Sequence, residues 1–292
     1  MQRPALFSGT QLNSAINFDP TDAAYSVPTM QKVLEAKQFR LWRKGKKLHC
    51  YVLNGVSELS NFIGWLESVK NSVPDHARFQ YVLKHSNHWT SADIKIRNGR
   101  LEFFLLDSIH SRNTFVTTIE EIKKLSLDAL ITVSSGMPLQ RDDINCGTFS
   151  FDFVCQMAKI PDLHEQINAF TQPLNESGRL GHALLRRQND GTLRMIDVNH
   201  FPPTLGPLLR NVQDVAMNSI WFKRGHYANK QMSLENYVKY KGHAKVTVDA
   251  TLTSDAVVQK RVSVKTKAAF FHVSHMEAER EERKLVSEKC RL

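Results

Sequence analysis

The stretch Arg78–Leu106, RFQYVLKHSNHWTSADIKIRNGRLEFFLL, constrains this chain more than any other part of it. Two segments rich in aromatic and β-branched residues, Arg78–Leu83 and Trp89–Ile96, follow one another closely. Asn98-Gly99 and the apolar run Leu101–Leu106 come next. Both central residues of a type I′ turn need positive φ, so Asn-Gly between such runs predicts a tight antiparallel hairpin.

Helical periodicity surrounds the strands. Thr29–Trp42 has apolar spacing suited to a helix, and Glu58–Val69 places Leu59, Phe62, Ile63, Leu66 and Val69 on one face. Cys50 and its neighbours read as a short strand after the basic turn RKGKK. Thr118–Leu127 predicts a helix, Ala129–Val133 a strand, and CGTFSFDFVCQMAK, from Cys146, a buried helix. Strands interleaved with helices predict an α/β (α+β) fold, a small mixed sheet flanked by helices.

The flanks read differently. Residues 1–28 are expected to be a flexible leader, residues 29–205 the catalytic domain, 206–275 a basic helical region and 276–292 a charged C-terminal helix. His182–Arg187 and Thr192–Val198 look like a hairpin around Asn189-Asp190-Gly191, and HFPPTLGPLL like a proline-broken connector.

Four cysteines, Cys50, Cys146, Cys155 and Cys290, are scattered without metal-ligand spacing, and the first residues lack the apolar core of a secretory signal. That argues for a reducing compartment and against a disulfide framework or a metal site. No apolar run approaches the roughly 20 residues a membrane span needs. The net charge of +10 favours an anionic partner. Without a zinc finger, an RNP string or a P-loop, the charge alone does not argue for nucleic acid.

Three features then occur in chain order. His88 stands at a strand start, Asp107 at the end of the next hairpin strand, and Cys146-Gly147 at a helix start, with Gln140 six positions before the Cys. Each alone is ordinary: a His beside Trp is usually structural, an Asp after a strand forms turns, and a Cys in a buried helix packs as a small hydrophobe. Together they fit nucleophilic catalysis. A helix N-terminus and an adjacent imidazole both favour a thiolate. His88 can take the thiol proton and return it to a leaving group. Asp107 can orient the ring, Gln140 can donate to an oxyanion, and Gly147 can let the backbone approach a substrate. Cys155, inside the same apolar helix, is expected to be inert.

The order His, Asp, Gln, Cys over residues 78–160 resembles the clan CE cysteine enzymes. These comprise SUMO-type proteases, bacterial deubiquitinases and the YopJ family of effector acetyltransferases. The resemblance implies an adenain-like cysteine-protease fold with the Cys on a central helix. His88-Trp89 and LLDS look like the protease branch. HWTSADIKIRNGRLEFFLLD and CGTFSFDF resemble the YopJ pattern, with Asp93 matching its "DV" acid and nineteen positions from His88 to Asp107. Asn145 stands where both branches usually carry an acid.

The YopJ resemblance implies an enzyme that takes acetyl from acetyl-CoA on its Cys. It then passes the group to Ser, Thr or Lys of a host protein. Such an enzyme is a bacterial effector in the host cytoplasm, activated by inositol hexakisphosphate. Arg210, Lys223, Arg224 and Lys230, in a positively charged stretch, are the candidates for polyphosphate or CoA. The alternative is a cysteine isopeptidase for ubiquitin or a relative, with Trp89 as the aromatic wall clamping a Gly-Gly tail.

Overall fold

The computed structural model describes residues 25–136, 138–140, 144–173, 192–198, 201–209 and 261–271. Among them runs a seven-stranded mixed sheet of order β1-β2-β3-β4-β5-β7-β6. Its strands are β1 (Cys50–Asn54), β2 (Arg78–His85), β3 (His88–Arg97), β4 (Arg100–Leu106), β5 (Leu130–Ser135), β6 (Gln172–Pro173) and β7 (Leu193–Asp197). The predicted hairpin is present: β3 and β4 are antiparallel with Ser91 opposite Leu106, and Asn98 and Gly99 both have positive φ. Gly99 is required twice, since a Cβ there would also lie 2.6 Å from Asn71 Oδ1.

Alternation along the strands assigns the two faces. Tyr81, Ala92, Ile94, Phe103 and Leu105 point to one side and pack on α2 (Gly55–Val69) and α3 (Arg112–Leu125). The other side carries α4 (Cys146–Met157), flanked by α1 (Val27–Trp42), α5 (Leu163–Phe170) and α6 (residues 261–271). All twelve residues of α4 are buried. Phe149 and Phe153 join Phe104 and Leu106 in one cluster, while Phe151, Val154 and Cys155 join Trp89 and α1 in another. Each such apolar side chain contributes about 1.5–3 kcal/mol when fully buried.

Several expectations are corrected here. The leader does not extend to residue 28: Tyr25 is buried, and Ser26 Oγ accepts from Thr29 N–H at 3.2 Å to cap α1, with Pro28 in its first turn. The proline-broken connector is a 3-10 helix, Pro203–Leu209, that sends Leu205, Leu208 and Leu209 into the core beside α4. β7 is flanked by β5, in parallel, and by β6; the strand expected at 182–187 lies outside the described residues. Residues 261–271, assigned above to a separate basic region, put Ala268 into the same core cluster as α1 and α4. The charged helix expected at 276–292 lies outside the described residues.

Beneath the last turn of α4 the sheet face is polar and buried. Arg78 donates to both Asp93 oxygens, at 3.0 and 2.7 Å, and to the carbonyls of Met157 and Ile160 at 2.9 and 2.6 Å. Gln80 Nε2 donates to Asp93 Oδ2 at 2.7 Å, and His164 Nε2 lies 2.9 Å from Oδ1. Burial pushes the Asp93 carboxyl upward, but the His164 hydrogen bond and the Arg78 guanidinium outweigh it and hold the group below its ordinary value. The acid that the sequence singles out in the Asp-Ile pair thus clamps α4 to the sheet from the far end.

Candidate active site

The strand register Ser91↔Leu106 brings the start of β3 and the end of β4 to the same edge of the sheet. His88 opens β3 and Asp107 follows β4, and His88 Nε2 lies 2.6 Å from Asp107 Oδ2. Asp107 is fully buried. Its second oxygen accepts from the backbone N–H of Ile109 at 2.8 Å and of Ser111 at 3.2 Å, an Asx-type arrangement that fixes the carboxylate.

Cys146 begins α4, which packs across β3, and its thiol is close enough to His88 to raise the imidazole pKa. His88, Asp107 and Cys146 are therefore one connected constellation. Burial lowers the imidazole pKa and is the largest single influence. The hydrogen bonds to Asp107 and Cys146, with their charges, outweigh it and hold His88 up at about 10. These interactions favour the charged ring, the state that stabilises a neighbouring thiolate.

Gln140 reaches the same corner through a residue that sequence reasoning passed over. The backbone N–H groups of Leu139 and Gln140 donate to the Ser108 carbonyl at 2.7 and 3.0 Å. Ser108 Oγ donates to Gln140 Oε1 at 2.6 Å. Ser108 thus fixes the carboxamide by its oxygen end and ties the Gln140 segment to the residue after Asp107. Its signal was the Ser of LLDS, read only as part of a string. Ser134 was also missed: its Oγ accepts from Asp107 N–H at 3.3 Å and lies 3.1 Å from His110 Nδ1.

Two expectations change. Trp89 is only 2% exposed, packs with Tyr25 and α1, and donates its indole N–H to the Tyr25 carbonyl at 3.0 Å. It is a core side chain, with no open face for a Gly-Gly tail. Gly147 makes a close approach, but to the protein itself: a Cβ there would lie 2.7 Å from the Tyr25 ring. Cys155, 2% exposed, packs in the cluster with Trp89, Val154 and α1. Among the described residues no group of three His, Cys, Asp or Glu converges as a metal site. Arg210, Lys223, Arg224 and Lys230 lie outside the described residues.

Asn145 also matters. It occupies the N-cap position of α4 yet makes no side-chain cap to that helix; its Oδ1 accepts from Arg261 Nη1 of α6 at 3.0 Å.

A sequence model of the family described as YopJ Serine/Threonine acetyltransferase matches residues 11–289. No curated protein matches at the sequence level. Among solved structures, HopZ1a in complex with IP6 aligns with 10% identity over 83% of this chain and 85% of that chain, TM-score 0.53. AvrA delL154 with IP6 and CoA aligns with 12% identity over 82% and 89%, TM-score 0.46. A de-sumoylating protease aligns with 10% identity over 91% and 85%, TM-score 0.38.

Proposed function

The chain belongs to the YopJ serine/threonine acetyltransferase family, and from that premise we propose that it moves acetyl from acetyl-CoA, through Cys146, to a hydroxyl or amine of a host protein. Membership makes it a cysteine-dependent acyltransferase. The observation that carries the site assignment is the His88 ring, bonded to Asp107 at 2.6 Å and influenced by Cys146 at the head of α4.

In the first half-reaction the Cys146 thiolate attacks the thioester carbonyl of acetyl-CoA. The carbonyl oxygen gains the negative charge, and the Gln140 amide and the Cys146 backbone N–H are the donors we assign to it. The C–S bond to CoA breaks, His88 protonates the departing CoA thiolate, and acetyl remains on Cys146. Acylation removes the Cys146 contribution that helps hold His88 protonated. The ring becomes a better base at the moment the second half-reaction needs one. It takes the proton of the acceptor Ser, Thr or Lys, the acceptor attacks the acyl-enzyme carbonyl, and free Cys146 is regenerated. Two half-reactions through one covalent intermediate give ping-pong kinetics.

HopZ1a was solved with IP6. We extend inositol hexakisphosphate to this chain as activator, with the net charge of +10 in support. Action inside a host cell, after delivery by a bacterium, is the family reading extended to this chain. The isopeptidase alternative loses its main support with Trp89 in the core.

The test is incubation with labelled acetyl-CoA, with and without inositol hexakisphosphate, beside ubiquitin and SUMO suicide probes. Label on the protein that disappears in Cys146→Ala is expected. Probe capture at Cys146 without acetylation would replace this reading with the isopeptidase one.

A further inference from the structure

Among the described residues the exposed large aromatic side chains are Trp42, 70% exposed, and Phe270, 76% exposed. Trp42 is the last residue of α1, and Phe270 lies in the last described turn of α6. The Phe39 ring joins these two places. Its centroid is 5.9 Å from that of Trp42 and 5.0 Å from that of Phe271, the neighbour of Phe270. Leu41 of α1 and Ala268 of α6 belong to one core cluster, with Phe271 packed against it, so the aromatic strip rides on packed helices.

The charge around the strip has one sign. Residues 36–57 carry Lys37, Arg40, Arg43, Lys44, Lys46 and Lys47 and no acid, and residues 256–276 carry four cations and no acid. Directly after Trp42, the side chains of Arg43, Lys44, Lys46 and Lys47 are exposed and make no ion pair among the described residues. The turn that presents them is fixed. Gly45 has φ 67°, its N–H donates to the Trp42 carbonyl at 2.9 Å, and the Lys46 N–H donates to the Leu41 carbonyl at 2.9 Å, closing the helix end.

The dipole of α1 favours some of these cations at its C-terminus. It does not account for Trp42 or Phe270, each of which leaves an apolar ring in water. An exposed apolar patch rimmed by charge marks a binding surface. A soluble polyphosphate is held by cations and gains little from exposed rings. An anionic bilayer uses both groups: aromatic rings enter the headgroup layer while Lys and Arg meet the acidic lipids.

We propose that the Trp42 end of α1 and the last described turn of α6 form a membrane-docking surface, with Trp42 and Phe270 seated in the headgroup layer of an anionic bilayer and the basic turn on its lipid phosphates. The contact is peripheral and reversible, since two rings and a few cations bind far more weakly than a membrane span. It goes beyond acyl transfer and does not depend on it, because no residue of the patch belongs to the His88, Asp107 and Cys146 constellation.

The experiment is co-sedimentation of the full-length protein with vesicles of phosphatidylcholine, alone or with roughly one-third phosphatidylserine, at low and high salt. Wild type is expected to sediment with the anionic vesicles and to be released as salt rises. Trp42→Ala with Phe270→Ala should lower the partition coefficient by about tenfold. Lys46→Ala with Lys47→Ala should lower it by about tenfold or more, at about fivefold for each cation at an anionic surface. Brominated lipid should quench the tryptophan emission of wild type, and quench Trp42→Phe less. Cys146 alkylation by iodoacetamide, read by peptide mass, should run at the wild-type rate in every variant and so shows that the fold is intact.

Wild type left in the supernatant with anionic vesicles at low salt would overturn the proposal. So would a Trp42→Ala, Phe270→Ala protein that sediments like wild type, since another surface would then carry the binding. Free inositol hexakisphosphate should bind that double variant as it binds wild type. A loss there equal to the vesicle loss would assign the surface to soluble polyphosphate, and capture of a single-stranded oligonucleotide without vesicle binding would assign it to nucleic acid; either result ends the membrane reading.

Discussion

At its last turn α4 is gripped from below: Arg78 spans the carbonyls of Met157 and Ile160 and is itself fixed by Asp93, Gln80 and His164. At its first turn the helix has no side-chain cap of its own. It begins on Cys146, beside His88, and on Asn145, whose Oδ1 accepts from Arg261 of another helix. One end joins α4 to the sheet through a closed polar cluster; the other presents the His88, Asp107 and Cys146 constellation. A reactive group is held in place when the element that carries it is immobilised, here by the polar clamp at the opposite end of α4.

The contrast can be broken by substitution at each end. Cys146→Ala should lower acetyl transfer by on the order of 10⁴-fold or more while moving the melting temperature little; full activity would end the reading of this site. Asp107→Asn should follow, at about 10²–10⁴-fold in kcat, with the pH profile changed because the Asp107 hydrogen bond and charge no longer hold His88 up. His88 also makes a stability statement. Its folded pKa, about 10, is above the ordinary 6.5. Its contribution is therefore complete below about pH 6.5 and lost as pH rises toward 10. Urea titrations of wild type across that window should show this decline, and Asp107→Asn should flatten it.

At the far end the signature reverses. Asp93→Asn should cost about 3 kcal/mol in denaturant unfolding, since it leaves the half-buried Arg78 guanidinium beside a neutral partner. Because the Asp93 pKa is depressed, its stabilisation is present above about pH 4 and fades as pH falls through the folded value. In the protein that remains folded, Cys146 alkylation should be unchanged; a large change in rate would show that the two ends are not separable. Ser108→Ala, which releases the Gln140 carboxamide, should lower kcat by about three- to tenfold. The smallest effect belongs to Cys155→Ser, with acetyl transfer within about twofold of wild type.

Much of this was legible in the sequence for local reasons. Asn98-Gly99 fixed a hairpin, the hairpin brought the ends carrying His88 and Asp107 together, and an apolar run after Cys146-Gly147 required a buried helix. What was missed lies where local pattern and burial part company. Ser91, Asp93 and Lys95 alternate like a solvent-facing row, yet α4 and α5 cover them, and hydrogen bonds replace water there. The same inversion hides Trp89, which reads as exposed beside a polar row. In HFPPTLGPLL the prolines mask Leu205, Leu208 and Leu209, whose i, i+3, i+4 spacing was already that of a buried face. Ser26 and Thr29 formed a cap signal that the polar residues before them obscured. No periodicity could have paired Asn145 with Arg261, since the contact spans 116 positions.

That span sets an order of assembly during synthesis. A ribosome delivers β1 through β5 and α4 well before Arg261, and the sheet with its apolar layers can close around α4 while residue 261 is still to be made. A nascent chain would hold a nearly finished scaffold in which the Cys146 end of α4 gains its Arg261 contact only when α6 emerges and docks.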